Sequence, residues 1–157
     1  TAFIPSEWII DNDEKLAAYK AATICRTSPE LIELASSWLD RYGNIPKPVE
    51  SLLQIMRLKQ LTKKAGFSRV KLEKPNILLE TPMAEPAFRL LRQGLPKHLH
   101  GRLIFQSGKG KYSNVMARGL GVLNSEKQIE QLIDWLSKMC DQIPSSHMPT
   151  KGTISKI

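Results

Sequence analysis

The sequence predicts an α+β fold in which N-terminal helices are followed by a small, mostly antiparallel sheet, a short helix and a C-terminal helix. Apolar residues recur at steps of three and four over residues 11–65, which places their side chains on one face of a helix. The pattern changes to alternation in RVKLE (69–73) and NILLET (76–81), and it becomes helical again over residues 125–143. Helices and strands therefore occupy separate parts of the chain, which is typical of α+β proteins and not of doubly wound sheets.

The length of 157 residues is enough for one domain with its own apolar core. We expect residues 1–10 to be a leading segment packed on the body, residues 11–143 a single domain, and residues 144–157 a disordered tail. No stretch approaches the roughly 20 apolar residues of a membrane span, and the first residues lack a signal-peptide pattern. We therefore expect a soluble, cytoplasmic protein. Because the chain begins at Thr1 without a methionine, we expect it to be a segment of a longer polypeptide, with N-terminal processing as the alternative.

The first helix is predicted to begin after Asp11, which can accept hydrogen bonds from the exposed amides while Glu14 reaches back to the cap. It should end near Arg26. Its predicted inner stripe consists of Leu16, Tyr19, Thr23 and Ile24.

The second helix is predicted to have Ser28 as its N-cap and Pro29 as its first residue, because proline lacks only an amide that would be unpaired there. Gly43 is placed to end it, since glycine has no Cβ to clash in a left-handed turn. The predicted core-facing residues are Leu31, Leu34, Ala35, Trp38, Leu39 and Tyr42.

A third helix is predicted from Pro48 to about Ala65, because Pro46 prevents the second helix from resuming and Gly66 can close the third. Its apolar residues spread over more than half of its circumference, so we expect it to be buried on two sides.

The hairpin is predicted to turn at Lys74 and Pro75. A short helix should follow over residues 86–93, ended by Gly94 and Pro96, and RLIFQ (102–106) should form a third strand. A fourth strand is predicted within 114–118. The last helix should begin at Ser125, which has a glutamine three residues later as in a capping box.

Positive charge is concentrated in the middle of the chain. Residues 1–56 hold five bases and eight acids, net −3, whereas residues 57–123 hold fourteen bases and three acids, net +11. Such a zone can attract phosphate backbones or an acidic protein surface. The candidate contact residues are Lys63, Lys64, Arg69, Lys71, Lys109 and Lys111.

Motifs that carry catalytic chemistry are not apparent. QSGKGKYS (106–113) resembles a phosphate-binding loop, but six residues separate Gly101 from Gly108, where the Walker motif has four, and Gly110 follows Lys109 where the motif has Ser or Thr. A basic loop between strands is the better interpretation, with phosphate contact as the alternative. No cysteine or histidine lies at metal-ligand spacing, and the two cysteines are interpreted as reduced core thiols. We expect no catalytic residue, metal or cofactor.

Two stretches resemble the C-terminal domain of bacterial transcription-repair coupling factors. They are IPSEWIIDNDEKLAAYK (4–20) and WLDRYGNIPKPVESLLQIMRLKQLTKKAGF (38–67), and the resemblance continues only as element order beyond about residue 70. The parent proteins are ATP-driven DNA translocases that remove stalled RNA polymerase and recruit excision-repair proteins. The resemblance implies a regulatory domain without motor motifs, which folds back on the N-terminal module of its own polypeptide and covers the surface that would bind the damage-recognition protein UvrA.

The resemblance also implies that the Asp-Arg-aromatic-Gly motif faces that module, so Asp40 and Arg41 are the candidate interface residues. One helical turn earlier the family commonly has Glu, whereas this chain has Ser37. The competing interpretation of Asp40 and Arg41 is a pair of solvated charges at a helix end, worth about 0–1 kcal/mol. The competing function is non-specific DNA binding through the basic middle segment.

Overall fold

The computed structural model describes residues 2–73 and 75–143. Five α-helices, one 3-10 helix and four strands follow one another in this part of the chain. In order they are α1 (Asn12–Ile24), α2 (Ser28–Tyr42), α3 (Lys47–Ala65), β1 (Arg69–Glu73), β2 (Asn76–Thr81), α4 (Glu85–Arg92), the 3-10 helix (Lys97–Arg102), β3 (Leu103–Gln106), β4 (Ser113–Ala117) and α5 (Ser125–Cys140). The predicted α+β fold is confirmed, and the stretch 107–123 contains the fourth strand.

The strands form one antiparallel sheet in the order β1-β2-β4-β3. Its register places Leu79, Val115 and Phe105 in one row across β2, β4 and β3. Because side chains alternate between the two faces of a strand, this row lines the face that packs against the helices. Arg69, Lys71 and Glu80 lie on the opposite face.

The apolar core consists of two clusters that share α3. The larger cluster packs one face of the sheet against α4, α5 and the C-terminal half of α3, and Phe88 and Trp135 are its largest fully buried side chains. The smaller cluster joins the leading segment, α1, α2 and the N-terminal half of α3 around Ile4, Ile9 and Trp38. The broad apolar surface of α3 therefore reflects two different neighbours along its length.

The predicted inner stripe of α1 is wrong at three positions. Leu16 is 54% exposed, Ile24 is 74% exposed and Thr23 is also exposed, whereas Ala18 and Ala22 are buried. Because interaxial distance depends on the side chains at the contact, the small alanines suit a helix that lies close to α2 and α3.

The N-caps of two helices lie one residue earlier in the sequence than predicted. Thr27, not Ser28, caps α2: its hydroxyl accepts from the amide of Glu30, whose carboxylate accepts in turn from the amide of Thr27. Likewise Asn124, not Ser125, caps α5. Each pair offers adjacent polar candidates, and the extended backbone of the first residue decides which one acts as the cap.

Helices α2 and α3 end at the predicted glycines, but only Gly66 adopts the predicted left-handed turn. Gly43 has φ 87° and ψ −164°, a conformation open essentially to glycine, and its amide donates to the carbonyl of Leu39 at 3.0 Å. Gly66 is left-handed, with φ 98° and ψ 15°. Leu39 itself was predicted in the core, but its side chain is exposed.

The predicted tail, residues 144–157, lies outside the described residues. Of the helices in the described part, none combines the length and apolar character that crossing a membrane requires.

Candidate interaction sites

The C-terminal end of α2 is tied to the start of α1 by a charged contact. The Arg41 guanidinium forms an ion pair with the Glu14 carboxylate, and the Tyr42 hydroxyl donates to the same carboxylate at 3.3 Å. Asp11 caps α1 as predicted, accepting from the amide of Glu14 at 3.0 Å. The Glu14 side chain, however, contacts α2 instead of completing a capping box. Arg41 therefore has a partner within the domain.

Aromatic side chains lie beneath this contact. The Trp8 ring meets Trp38 edge-on at a centroid distance of 6.0 Å and lies 5.4 Å from the Tyr42 ring. Burial raises the pKa of the Tyr42 hydroxyl, so the group stays protonated and donates at neutral pH. Trp8, Tyr42 and the acidic first turn of α1 line an open groove of about 590 Å³. The leading segment and the end of α2 thus form one packed, acidic surface.

Asp40 precedes Arg41 in α2 but takes no part in the contact of Arg41 and Tyr42 with Glu14. It is exposed, and within the described residues its carboxylate has no ion-pair partner. Ser37 is also exposed and lies one helical turn earlier, so the two residues share a helix face. Leu39 adds an exposed apolar side chain beside them. The two candidate interface residues therefore differ: Arg41 forms an ion pair with Glu14, whereas Asp40 is exposed and has no ion-pair partner among the described residues.

The six candidate cations fall into three places. Lys63 and Lys64 lie in the last turn of α3. Arg69 and Lys71 flank Glu80 on the open face of the sheet, at nitrogen–oxygen distances of 3.9 and 3.2 Å. This carboxylate offsets part of their charge.

The third pair, Lys109 and Lys111, is exposed in the connection between β3 and β4. The register places this connection at the end of the sheet where β1 begins, which is the end that carries Arg69. The connection leads into a strand, whereas a Walker-type loop must open a helix. The glycine-lysine loop is therefore a strand connection, as the sequence analysis favoured.

A second cleft, of about 980 Å³, opens between three parts of the chain that are distant in sequence. Its walls come from the α1–α2 turn, the C-terminal half of α3 and the C-terminal end of α5. Five cationic side chains and a single carboxylate, Asp141, line it; the cations are Arg26, Arg57, Lys59, Lys63 and Lys64. The sequence analysis missed the cleft and its members Arg26, Arg57 and Lys59. No local signal brings these three segments together.

The two thiols differ in their surroundings. Cys140 is buried, and its Sγ donates to the carbonyl of Leu61 at 3.6 Å, whereas Cys25 is half-buried at the end of α1. Burial is the main cause that raises the pKa of both thiols, which disfavours the reactive thiolate. Within residues 2–73 and 75–143 there is no group of three or more His, Cys, Asp or Glu side chains that could hold a metal ion.

Comparison with known proteins finds relatives of one kind. The model of the TRCF domain family matches residues 1–87. The transcription-repair-coupling factor of Escherichia coli is 32% identical over 101 residues, 62% of this chain, and that of Bacillus subtilis is 32% identical over 78 residues, 50% of this chain. The matches cover 9% and 7% of those relatives, so the chain spans a small part of their length.

The fold has a counterpart among solved structures. The crystal structure of the C-terminal domain of transcription-repair coupling factor superimposes with a TM-score of 0.67 over 91% of each chain, at 19% identity. The family match covers more than half of this chain and includes the Asp-Arg-Tyr-Gly motif at residues 40–43. The chain therefore belongs to the TRCF domain family, and its fold is that of the C-terminal domain of transcription-repair coupling factor.

Proposed function

We propose that this domain is a non-catalytic regulatory clamp: it docks on the N-terminal module of its own polypeptide and covers the surface through which that module would bind UvrA. Its parent would be an ATP-dependent DNA translocase that acts on stalled RNA polymerase in the bacterial cytoplasm. The domain itself would need neither cofactor nor metal, and its contribution to the parent's activity would be to limit recruitment of repair proteins until docking is released.

The observation that carries this proposal is the exposed carboxylate of Asp40. Its neighbour Arg41 is paired with Glu14, so Asp40 is a net negative charge at the end of α2 with no cation of the described residues to neutralise it. Leu39 is exposed beside it, so the same surface offers both charge and apolar area. A cationic, partly apolar surface on the N-terminal module would complement both features.

Reversing the charge of Asp40 tests the clamp. Asp40→Arg should weaken binding of this domain to the separately expressed N-terminal module by about tenfold or more, because a charge-assisted contact becomes a repulsion. Asp134→Arg on α5 is the matched control: it makes the same charge change at an exposed Asp and breaks only a surface pair with Lys138. Calorimetric titration of the module with each variant measures the effect.

The outcomes separate the residue from the function. Equal affinity of Asp40→Arg and the native domain would remove Asp40 from the interface. Absence of any binding between the native domain and the N-terminal module would reject the clamp.

A second candidate function is non-specific DNA binding. It is favoured by the placement of Arg69, Lys109 and Lys111 at one end of the sheet, with Lys71 two residues further along β1. The domain should then retard duplex DNA at low salt, with affinity falling steeply as salt rises, because each neutralised phosphate releases counterions. A domain that does not retard duplex DNA at low salt lacks this function.

A further inference from the structure

We propose that the basic cleft between the α1–α2 turn, α3 and the end of α5 binds an acidic peptide segment that carries an apolar side chain. This inference does not depend on the clamp. The cleft includes the first residues of α2, whereas Asp40 lies near the other end of that helix, twelve residues and about 18 Å beyond Ser28.

The cations of the cleft outnumber its carboxylates by five to one, and none of the five forms an ion pair with a carboxylate of the described residues. Lys109 and Lys111 in the strand connection also lack an ion pair there. The cleft differs because five such cations line one concave surface. Cations that converge on one concave surface raise the local concentration of anions there. The ligand of this cleft should therefore be negatively charged.

Apolar side chains form part of the same surface. Met56 is half-buried in its wall, and Ile24 lies on it with 74% of its surface exposed, whereas Ala22 and Leu61 beneath them are buried. A phosphate backbone has no apolar group to place against Ile24 and Met56. A peptide that alternates acidic and aliphatic residues has both. The combination of charge and apolar contact favours a peptide over a nucleic acid.

Gln60 fixes the two main walls of the cleft relative to each other. Its Nε2 donates to the carbonyls of Cys25 and Thr27 at 3.2 and 3.1 Å, which uses both amide protons and joins α3 to the α1–α2 turn. The cations on these two walls therefore have a defined spacing, and the cleft is formed before a peptide binds.

A binding assay with defined probes tests this proposal. The probes are a fluorescein-labelled decapeptide of alternating Glu and Leu, the same peptide with Ser in place of Leu, and oligothymidylate of equal charge. Lys63→Gln with Lys64→Gln removes two charges from the cleft, and Lys109→Gln with Lys111→Gln removes two from the strand connection. We expect the first pair to weaken binding of the Glu-Leu peptide roughly fivefold to tenfold and the second pair less than twofold.

Apolar recognition is tested by a second matched pair. Ile24→Ser should weaken the Glu-Leu peptide and leave the Glu-Ser peptide unchanged, whereas Val122→Ser, at a residue that is 91% exposed and outside the cleft, should affect neither. Equal loss with both lysine pairs, or equal affinity for the Glu-Leu and Glu-Ser peptides, would contradict the proposal. So would oligothymidylate binding more tightly than the Glu-Leu peptide through Lys63 and Lys64. Circular dichroism of each variant verifies that the fold is retained.

Discussion

Replacing Gly94 by alanine should destabilise the domain. The sequence predicts only that this residue ends a short helix, but the structure places it against the backbone of α5. A Cβ at this position would lie 2.6 Å from the carbonyl oxygen of Lys138 and 2.8 Å from the Cα of Met139. Ordinary contacts between non-bonded heavy atoms begin near 3.5 Å, so the two backbones would have to separate by roughly 0.7–0.9 Å. Met139 is completely buried, so α5 is held in place by the core and cannot move freely.

The expected loss follows from two opposing terms. Overpacking a rigid contact costs about 1–3 kcal/mol. Alanine also restricts the unfolded chain, which stabilises by about 0.4–1 kcal/mol. The free energy of unfolding should therefore fall by about 1–2 kcal/mol, and the melting temperature by about 3–6 °C.

Gly101→Ala is the matched control for this substitution. No atom lies within 4 Å of a Cβ built at Gly101, so its free energy of unfolding should stay the same or rise by up to about 1 kcal/mol. Urea unfolding, followed by tryptophan fluorescence, measures both variants at constant m-value. If Gly94→Ala proves as stable as Gly101→Ala, the close approach of α4 and α5 is not what requires glycine.

Three further predictions concern the cap of α2 and the thiols. Thr27→Ala should lower the free energy of unfolding by about 1 kcal/mol, whereas Ser28→Ala should change it little, because only Thr27 accepts from the helix amides; urea unfolding measures both variants. The backbone amide of Arg26 is the main cause that lowers the pKa of Glu30, so Glu30→Gln should be less stable than the native chain at pH 7. This difference should vanish as pH falls below the ordinary carboxyl value of 4.5 and through the lowered pKa; a urea-midpoint difference that persists at about pH 3 would contradict the assignment. A thiol reagent should modify Cys25 in the native domain and Cys140 only after urea unfolding, and equally fast modification of both would show that Cys140 is not protected.

Elements with a strong local pattern could be predicted from the sequence. Examples are the long α3 with Gly66 at its end, the hairpin of β1 and β2, and α5. They follow from the periodicity of apolar residues and from the Gly and Pro residues that end helices and strands, and both signals lie within a few residues of the chain. The predictions were wrong where two neighbouring residues could both act as an N-cap. They were also wrong where the buried face of a helix depends on the helices packed against it. Thr27 replaced Ser28 as a cap, and the alanines of α1 face inward while Leu16 faces outward.

The candidate sites could be predicted from the sequence only in part. Asp40 and Arg41 were identified from the motif, but nothing in the motif indicates that Glu14, 27 residues earlier, takes Arg41 as its partner. The cations were visible as a net charge, yet the sequence could not indicate that Glu80 lies between Arg69 and Lys71. The net charge of a segment can be counted from its sequence. Whether a given cation is free to bind a partner depends on which carboxylates lie next to it in the folded chain.

The sequence by itself determined the α+β class, the order of the elements and membership of the family, because these depend on local periodicity and on a motif that is continuous in the chain. Only the tertiary structure decided that the core has two clusters joined by α3, that Gly94 must be small, and that a basic cleft exists. These features arise from contacts between segments far apart, such as Leu61 with Cys140, 79 residues later. Chain closure over such distances is driven by packing of the whole core, so no short stretch of sequence encodes it.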